Sequence, residues 1–327
     1  MKKIALIIIV TALCFVVTGL NPAMAAKKFP KKPITIICPW SAGGGTDRTA
    51  RFIADKLHGV LGVPVNVVNK TGGAGAVGFN AGANAKPDGY VITNLTFEIG
   101  TLRWMGYSDL GPEAFRPLMQ FNEDASAVIV GKDSKYQSVK QLLDDVKNKP
   151  AGTYQFSGCG IGTVWDLARI GMMNNYGIDH NKVKFIPTKG AAPAVTELLG
   201  GHVDVITCSY PEASPQIDAG NLKALAVMAE TRNAQFNHVP TLKEQGIDWA
   251  YGTWRGFAVP KGTPDNAADI LVAAFKKIFS SDDFKTFMNN NGFGIKIRES
   301  KAFGEFMEAQ HKGLEEIIKL AGYGKKK

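Results

Sequence analysis

ITIICPWSAGGGTD, residues Ile34–Asp47, decides how the rest of the chain is read. Ile34–Ile37 is a short run of β-branched apolar residues, which predicts a buried strand. The chain then turns at Pro39, passes Gly43, Gly44 and Gly45, and enters a helix near Thr46. Glycines let backbone N–H groups approach a bound group closely. A helix start adds unpaired N–H donors and a partial positive charge. Trp40, Ser41, Ala42, Gly43, Gly44, Gly45, Thr46 and Asp47 therefore form a candidate anion cradle that needs no basic side chain. It reads as half of a site for a small carboxylate. A tight βα turn without a ligand would carry the same glycines. No Gly-Lys-Ser/Thr follows, which excludes a Walker-type phosphate loop, and consecutive glycines give little support to a dinucleotide fingerprint.

Outward from this loop, strand and helix alternate. Ala50, Ile53, Ala54 and Leu57 mark one buried face of a helix over Thr46–Leu57. Val63–Val68 and Tyr90–Leu95 are the next strands, with glycines at Gly72–Gly78 between them. This order predicts a parallel α/β sheet. Thr96–Glu123 shows no regular pattern. Ala127–Val130 reads as a strand, and Ser138 with Gln141 as a capping box for a helix over Val139–Lys147. Tyr154–Phe156 is a strand followed by a second loop: Ser157, Gly158, Cys159, Gly160, Ile161, Gly162 and Thr163. Thr163 and Asp166 then open a helix stopped by Gly177. Thr263 is expected to cap a helix that has Pro264 in its first turn. Two glycine loops before helices suggest two α/β units facing one ligand, although each could be an ordinary turn.

The chain has 327 residues, with 38 basic and 29 acidic side chains. Its start reads as an export signal: Lys2 and Lys3, an apolar core Ile4–Leu20, and a small-x-small site at Ala23-Met24-Ala25. Cleavage after Ala25 would leave 302 residues with a net charge of +7, enough for two domains. The mature protein is expected to be soluble and periplasmic. No basic block is interleaved with aromatics, so nucleic acid is not an expected partner. Cys38, Cys159 and Cys208 are too few for a disulfide scaffold, and without a CxxC a zinc site has little support. Neither a metal nor a cofactor is expected.

Further stretches, taken in order, carry a family resemblance. They are FPKKPITIICPWSAGGGTD, VNVVNKTGGAGAVG, KPDGY, YQFSGCGIGTVWDLA, KGAAPAVTELLGGHVDV, LKALAVMAE, VPTLKEQG and WRGFAVPKGTP. With these the sequence resembles the substrate-binding proteins of tripartite tricarboxylate transporters, the Bug-type solute receptors. The resemblance implies a two-domain periplasmic binding protein, type II-like, each domain a mostly parallel sheet flanked by helices. Domain 1 would comprise residues 27–128 and 257–327, and domain 2 residues 129–256. It also implies a small organic acid bound between the domains and delivered to membrane transporter subunits by a monomeric receptor. The site carried over is Trp40–Asp47, then Ser157, Gly158, Cys159, Gly160, Gly162 and Thr163, then Asp204 in Gly-x-Val-Asp. The family pattern is not kept at Cys159 or across Thr96–Tyr107, TFEIGTLRWMGY, and both are expected to bear on ligand identity.

Several of these residues have a second reading. Trp40 is a cleft wall or a turn-packing aromatic. Asp47 complements the helix dipole, or pairs with an amine on the solute. Asp204 accepts a hydrogen bond from the solute or acts as a buried cap. Phe97, Trp104, Trp165 and Trp254 are candidate cleft walls or core. Cys159 before a helix could be activated as a nucleophile, but no base is recognisable, and His58, His180, His202, His238 and His311 have no catalytic or metal spacing. An enzyme is therefore not expected. A ligand-sensing receptor that feeds a signalling partner would share the same binding chemistry.

Overall fold

The computed structural model describes residues 29–324, so the export signal and the Lys325–Lys327 tail lie outside the described residues. The first half runs β1 (Ile34–Cys38), α1 (Gly45–Leu61), β2 (Val65–Asn69), α2 (Ala76–Ala83), β3 (Val91–Thr96), α3 (Leu102–Met105) and β4 (Phe115–Gly131). Then come α4 (Val139–Asn148), β5 (Gln155–Ser157), α5 (Val164–Asn175), β6 (Lys184–Ile186), α6 (Ala191–Leu199), β7 (Val205–Ser209), α7 (Tyr210–Asp218) and β8 (Leu222–Val227). The chain closes with β9 (Gly252–Pro260), α8 (Asp265–Phe279), α9 (Asp282–Asn290), β10 (Ile295–Glu299) and α10 (Ser300–Leu320).

The strands form two ladders that share β4. One ladder runs β2-β1-β3-β9-β4-β10, and the other β8-β4-β7-β5-β6. Parallel pairing joins β1 to β2 and β3, and β5 to β6 and β7. These are the βα units whose alternation the sequence displays. Between them the pairing is antiparallel, through β9 and β4. The result is a mixed α/β sheet flanked by helices.

β4 has 17 residues, of which the sequence shows only the last few. Its middle reads Gln120-Phe121-Asn122-Glu123-Asp124-Ala125-Ser126, with Gln120, Asn122, Asp124 and Ser126 all buried. Polar residues at buried positions erase the apolar alternation that marks a strand. Gln120, Asn122 and Asp124 are tolerated because they are bonded: Gln120 Nε2 donates to Asn122 O at 3.2 Å, Asn122 Nδ2 to Gly294 O at 2.6 Å, and the Gly294 N–H to Asp124 Oδ1 at 2.8 Å, whereas the Ser126 hydroxyl has no partner among the described residues. From Phe115 to Ala125 β4 pairs with β9, and from Ser126 to Val130 it pairs with β7. The expected boundary at Phe257 falls inside β9, which lies wholly in the first ladder.

Each ladder has its own core. Ile34, Ile36, Ile53 and Leu57 pack with Phe121, Phe257, Phe275 and Phe279 on one side. There Phe257 and Phe275 stack with centroids 4.7 Å apart. Val128, Val130, Leu142, Leu143, Phe156, Met172 and Met173 form the core of the other. Ser138 caps α4 as expected, accepting from the Gln141 N–H at 3.2 Å. Thr263 does not cap α8. Its hydroxyl donates to Pro260 O at 2.8 Å, and Pro264 takes the N-cap position.

Candidate functional site

Parallel strands aim the starts of their following helices past one edge of the sheet. Here α1 follows β1, α5 follows β5, α6 follows β6 and α7 follows β7, and these starts converge on one cavity. Trp40, Ser41, Gly44, Gly45 and Thr46 line it from the first loop, Thr96, Thr253 and Arg255 from strands of the same ladder, and Glu98 from the turn just past β3. Cys159, Val164, Trp165, Gly190, Ala191 and Glu212 line it from the other side. The free volume is about 20 Å³, room for one water-sized group. The walls are joined across the gap. The Ser41 N–H and hydroxyl donate to Lys189 O at 3.3 and 3.0 Å, and Arg48 Nη1 donates to Pro211 O at 3.0 Å. Tyr107 OH donates to Ile161 O at 3.1 Å, and Tyr323 OH to Asp166 Oδ2 at 2.8 Å.

The two expected loops are thus brought face to face, but not every expected residue reaches the cavity. Of the first loop, Ala42 and Gly43 are exposed on its outer side. Asp47 folds back onto that loop, accepting from the Gly43 N–H at 2.9 Å, from Asn69 Nδ2 at 2.8 Å and from Arg51 Nε at 3.0 Å. Burial raises its carboxyl pKa, but these three donors outweigh that and hold it below the usual range. Of the second loop, Cys159 lines the cavity. The Ser157 hydroxyl donates to Ile186 O at 2.7 Å and the Thr163 hydroxyl to Gly160 O at 2.7 Å, so both are spent on backbone carbonyls. Gly158 lies against Trp165 and Thr207, and Gly160 against Ala74 of the opposite wall. Gly162 (φ +69°) presses on Met105 and donates its N–H to Asp166. Asp204 is elsewhere. It is exposed at the start of β7, one strand-length from the cavity, and accepts from the Gln155 N–H at 2.7 Å.

Three charged residues in the walls were not singled out by the sequence. Arg255 on β9 is buried, and its guanidinium donates to Asn122 Oδ1 at 2.6 Å, to Thr46 Oγ1 at 3.1 Å and to Glu212 Oε1 at 3.2 Å, besides pairing with Asp124. Glu212, in the first turn of α7, also accepts from the Gly45 N–H at 3.3 Å and the Ser209 N–H at 3.2 Å. Glu98, just past β3, accepts from the Val164 N–H at 3.1 Å and the Thr96 hydroxyl at 2.6 Å. Each helix start expected to hold a solute anion thus meets a carboxylate of the facing wall, Glu212 at α1 and Glu98 at α5. Burial raises the carboxyl pKa of both, opposed at Glu212 by Arg255 and at Glu98 by its two hydrogen bonds. The one signal in the sequence was the departure of Thr96–Tyr107 from the family pattern.

Trp40 lines the cavity and anchors its turn, since Nε1 donates to Thr96 Oγ1 at 3.1 Å. Trp165 is a wall. Phe97 packs in the core against Tyr251, Trp254 against Phe303, and Trp104 against His311. Cys38, Cys159 and Cys208 are buried free thiols. Burial pushes Cys38 up to about 12, and Cys159 and Cys208 well above their ordinary value. That is the reverse of what activates a nucleophile. Among the described residues, no group of three or more His, Cys, Asp or Glu could hold a metal.

A mixed α/β sheet with a lined cavity between two ladders is the fold of the periplasmic binding proteins. The chain belongs to the tripartite tricarboxylate transporter receptor family, whose model matches residues 49–323. A curated relative is BugT of Bordetella pertussis, 30% identical over 75% of this chain and 76% of its own length. Among solved structures, a TctC solute-binding protein from Polaromonas without ligand is 36% identical, covering 89% of this chain and 99% of its own, with a TM-score of 0.64. The periplasmic binding protein BugD is 29% identical, covering 91% and 100%, with a TM-score of 0.84. No described helix is long and apolar enough to cross a membrane.

Proposed function

We propose that the chain is the solute receptor of a tripartite tricarboxylate-type membrane transporter. It captures a small carboxylate-bearing solute between two lobes and presents the closed form to the membrane subunits. The observation that carries this reading is the convergence of several helix starts on a cavity walled by both ladders. A carboxylate gains both the N–H donors and the dipole of such starts. The lobes are domain 1 (residues 27–128 and 257–327) and domain 2 (residues 129–256), a division supported by the change of β4's partner from β9 to β7 between Ala125 and Ser126. β4 and the segment entering β9 are the crossings about which the lobes hinge. Cleavage after Ala25 delivers a monomer to the periplasm.

Closure is part of the reading, because 20 Å³ does not admit a dicarboxylate until the walls part. The Polaromonas protein superposes less well than BugD despite its higher identity. A rigid-body change between lobes produces that pattern, since it lowers a global superposition without altering either lobe. The test is calorimetric titration of the mature protein, stripped of retained solute by unfolding and refolding, against mono-, di- and tricarboxylates and amino acids. Saturable one-site binding by a carboxylate is expected. Heat at background level across the whole panel, with a cooperative melt proving the fold, would overturn the reading.

A further inference from the structure

The lining of the cavity has the wrong charge for a solute that is only an anion. Glu98 and Glu212 both face it and both are buried. Arg255 is the cation in the lining, and it is engaged by Asp124 and Glu212. Arg48, whose charge is felt at Glu212, is spent on Pro211 O and Asn291 Oδ1. Glu98 has only neutral hydrogen-bond partners. Its Oε1 takes the Val164 N–H, and its Oε2 takes the proton of Thr96, whose oxygen also accepts from Trp40 Nε1. Both oxygens of Glu98 accept in this arrangement, which favours a charged carboxylate and opposes the burial that raises its pKa. Arg255 feels the charge of Glu98, but no hydrogen bond or ion pair joins the two among the described residues; a buried carboxylate without a directly bonded cation is costly, and a cation brought in by the solute lowers that cost. The free space fits a water-sized group such as an ammonium, and the indoles of Trp40 and Trp165 in the same walls also favour a cation.

We propose that the solute carries an ammonium or other cationic group beside its carboxylate, and that Glu98, backed by Glu212, is the residue that selects for it. This rests on the receptor reading above and narrows it from organic anions to zwitterions, such as amino acids and betaines. Glu98 also penalises a plain dicarboxylate, because a second carboxylate brought to the start of α5 meets a like charge there.

The test compares two solute sets on the wild type and on Glu98→Gln, with Glu98→Asp as the variant that keeps the charge. One set is succinate, malate, adipate and citrate. The other is aspartate, glutamate, glutamine and glycine betaine. The expected result is that a zwitterion binds the wild type, loses at least 30-fold in affinity in Glu98→Gln, and is held better by Glu98→Asp, while melting temperatures stay close. A plain dicarboxylate that binds the wild type, with Glu98→Gln equal or tighter and zwitterions inert, would overturn the inference and leave the receptor reading standing. Binding of a carboxylate-free amine such as putrescine, with the same loss in Glu98→Gln, would uphold the cation site and overturn the carboxylate requirement. Should both variants misfold, the wild-type preference between the two sets decides alone.

Discussion

At the scale of single residues, buried charge governs the behaviour of this cleft. Glu98 and Glu212 have folded-state pKa values above those of the unfolded chain, raised first by burial. The folded protein then binds more protons than the unfolded one between the ordinary glutamate value and the raised values. Stability without solute falls as pH rises through that interval. Asp47 is held low and acts in the opposite sense, losing its contribution only as pH falls below the ordinary carboxylate range. Melting curves from pH 4.5 to 8 should show the decline in the wild type and a smaller one in Glu98→Gln; equal slopes would contradict it. Arg255 is the other decisive residue. Truncation to Ala leaves Asp124 and Glu212 buried without their cation, a loss of about 3–5 kcal/mol, measurable by urea unfolding.

At the scale of elements, the start of α1 is the tightest part of the site. A Cβ on Gly45 would stand 2.6 Å from Arg255 Nη2 and 2.9 Å from Glu212 Cγ. Both are flexible side-chain atoms, so Gly45→Ala leaves α1 intact but disrupts the Glu212–Arg255 contact that seats the wall. Solute affinity should fall at least tenfold in titration calorimetry while the circular dichroism spectrum is unchanged. Helix packing behind the first ladder answers differently. Phe275 on α8 is fully buried among Phe257 and Phe279. Phe275→Ala should cost about 3–5 kcal/mol in unfolding free energy with the solute affinity of the folded fraction unchanged.

At the scale of the whole molecule, β4 is common to both ladders, and the contacts across the cavity are made by loops, helix starts and Arg255 of β9. Solute at a hundred times its dissociation constant should stabilise the protein by about 2.7 kcal/mol, read as a rise in melting temperature. Small-angle scattering should give a smaller radius of gyration with solute than without, once the retained solute is stripped. An unchanged radius would mean that capture proceeds without lobe closure.

The sequence by itself determined the βα alternation, the two glycine loops and the family. Apolar periodicity and glycine punctuation are local, so β1, α1, α5 and the stop at Gly177 could be read in place. The tertiary structure decided which polar residues face the cavity. Glu98 lies in an irregular stretch marked only by its departure from the family pattern, while Glu212 in an ordinary first helical turn and Arg255 inside a strand carry no local mark. Their partners are distant in sequence: Val164 for Glu98, Gly45 for Glu212, Asn122 and Asp124 for Arg255. The same cause hid most of β4, whose buried Asn122 and Asp124 are bonded to the distant Gly294 and Arg255. Ser157, Thr163 and Asp204 mislead in the opposite direction. Their residue types suit ligand binding, but nearby backbone groups claim their polar atoms first. A hydrogen bond between distant residues leaves no periodicity in sequence, and the character of this cleft rests on such bonds.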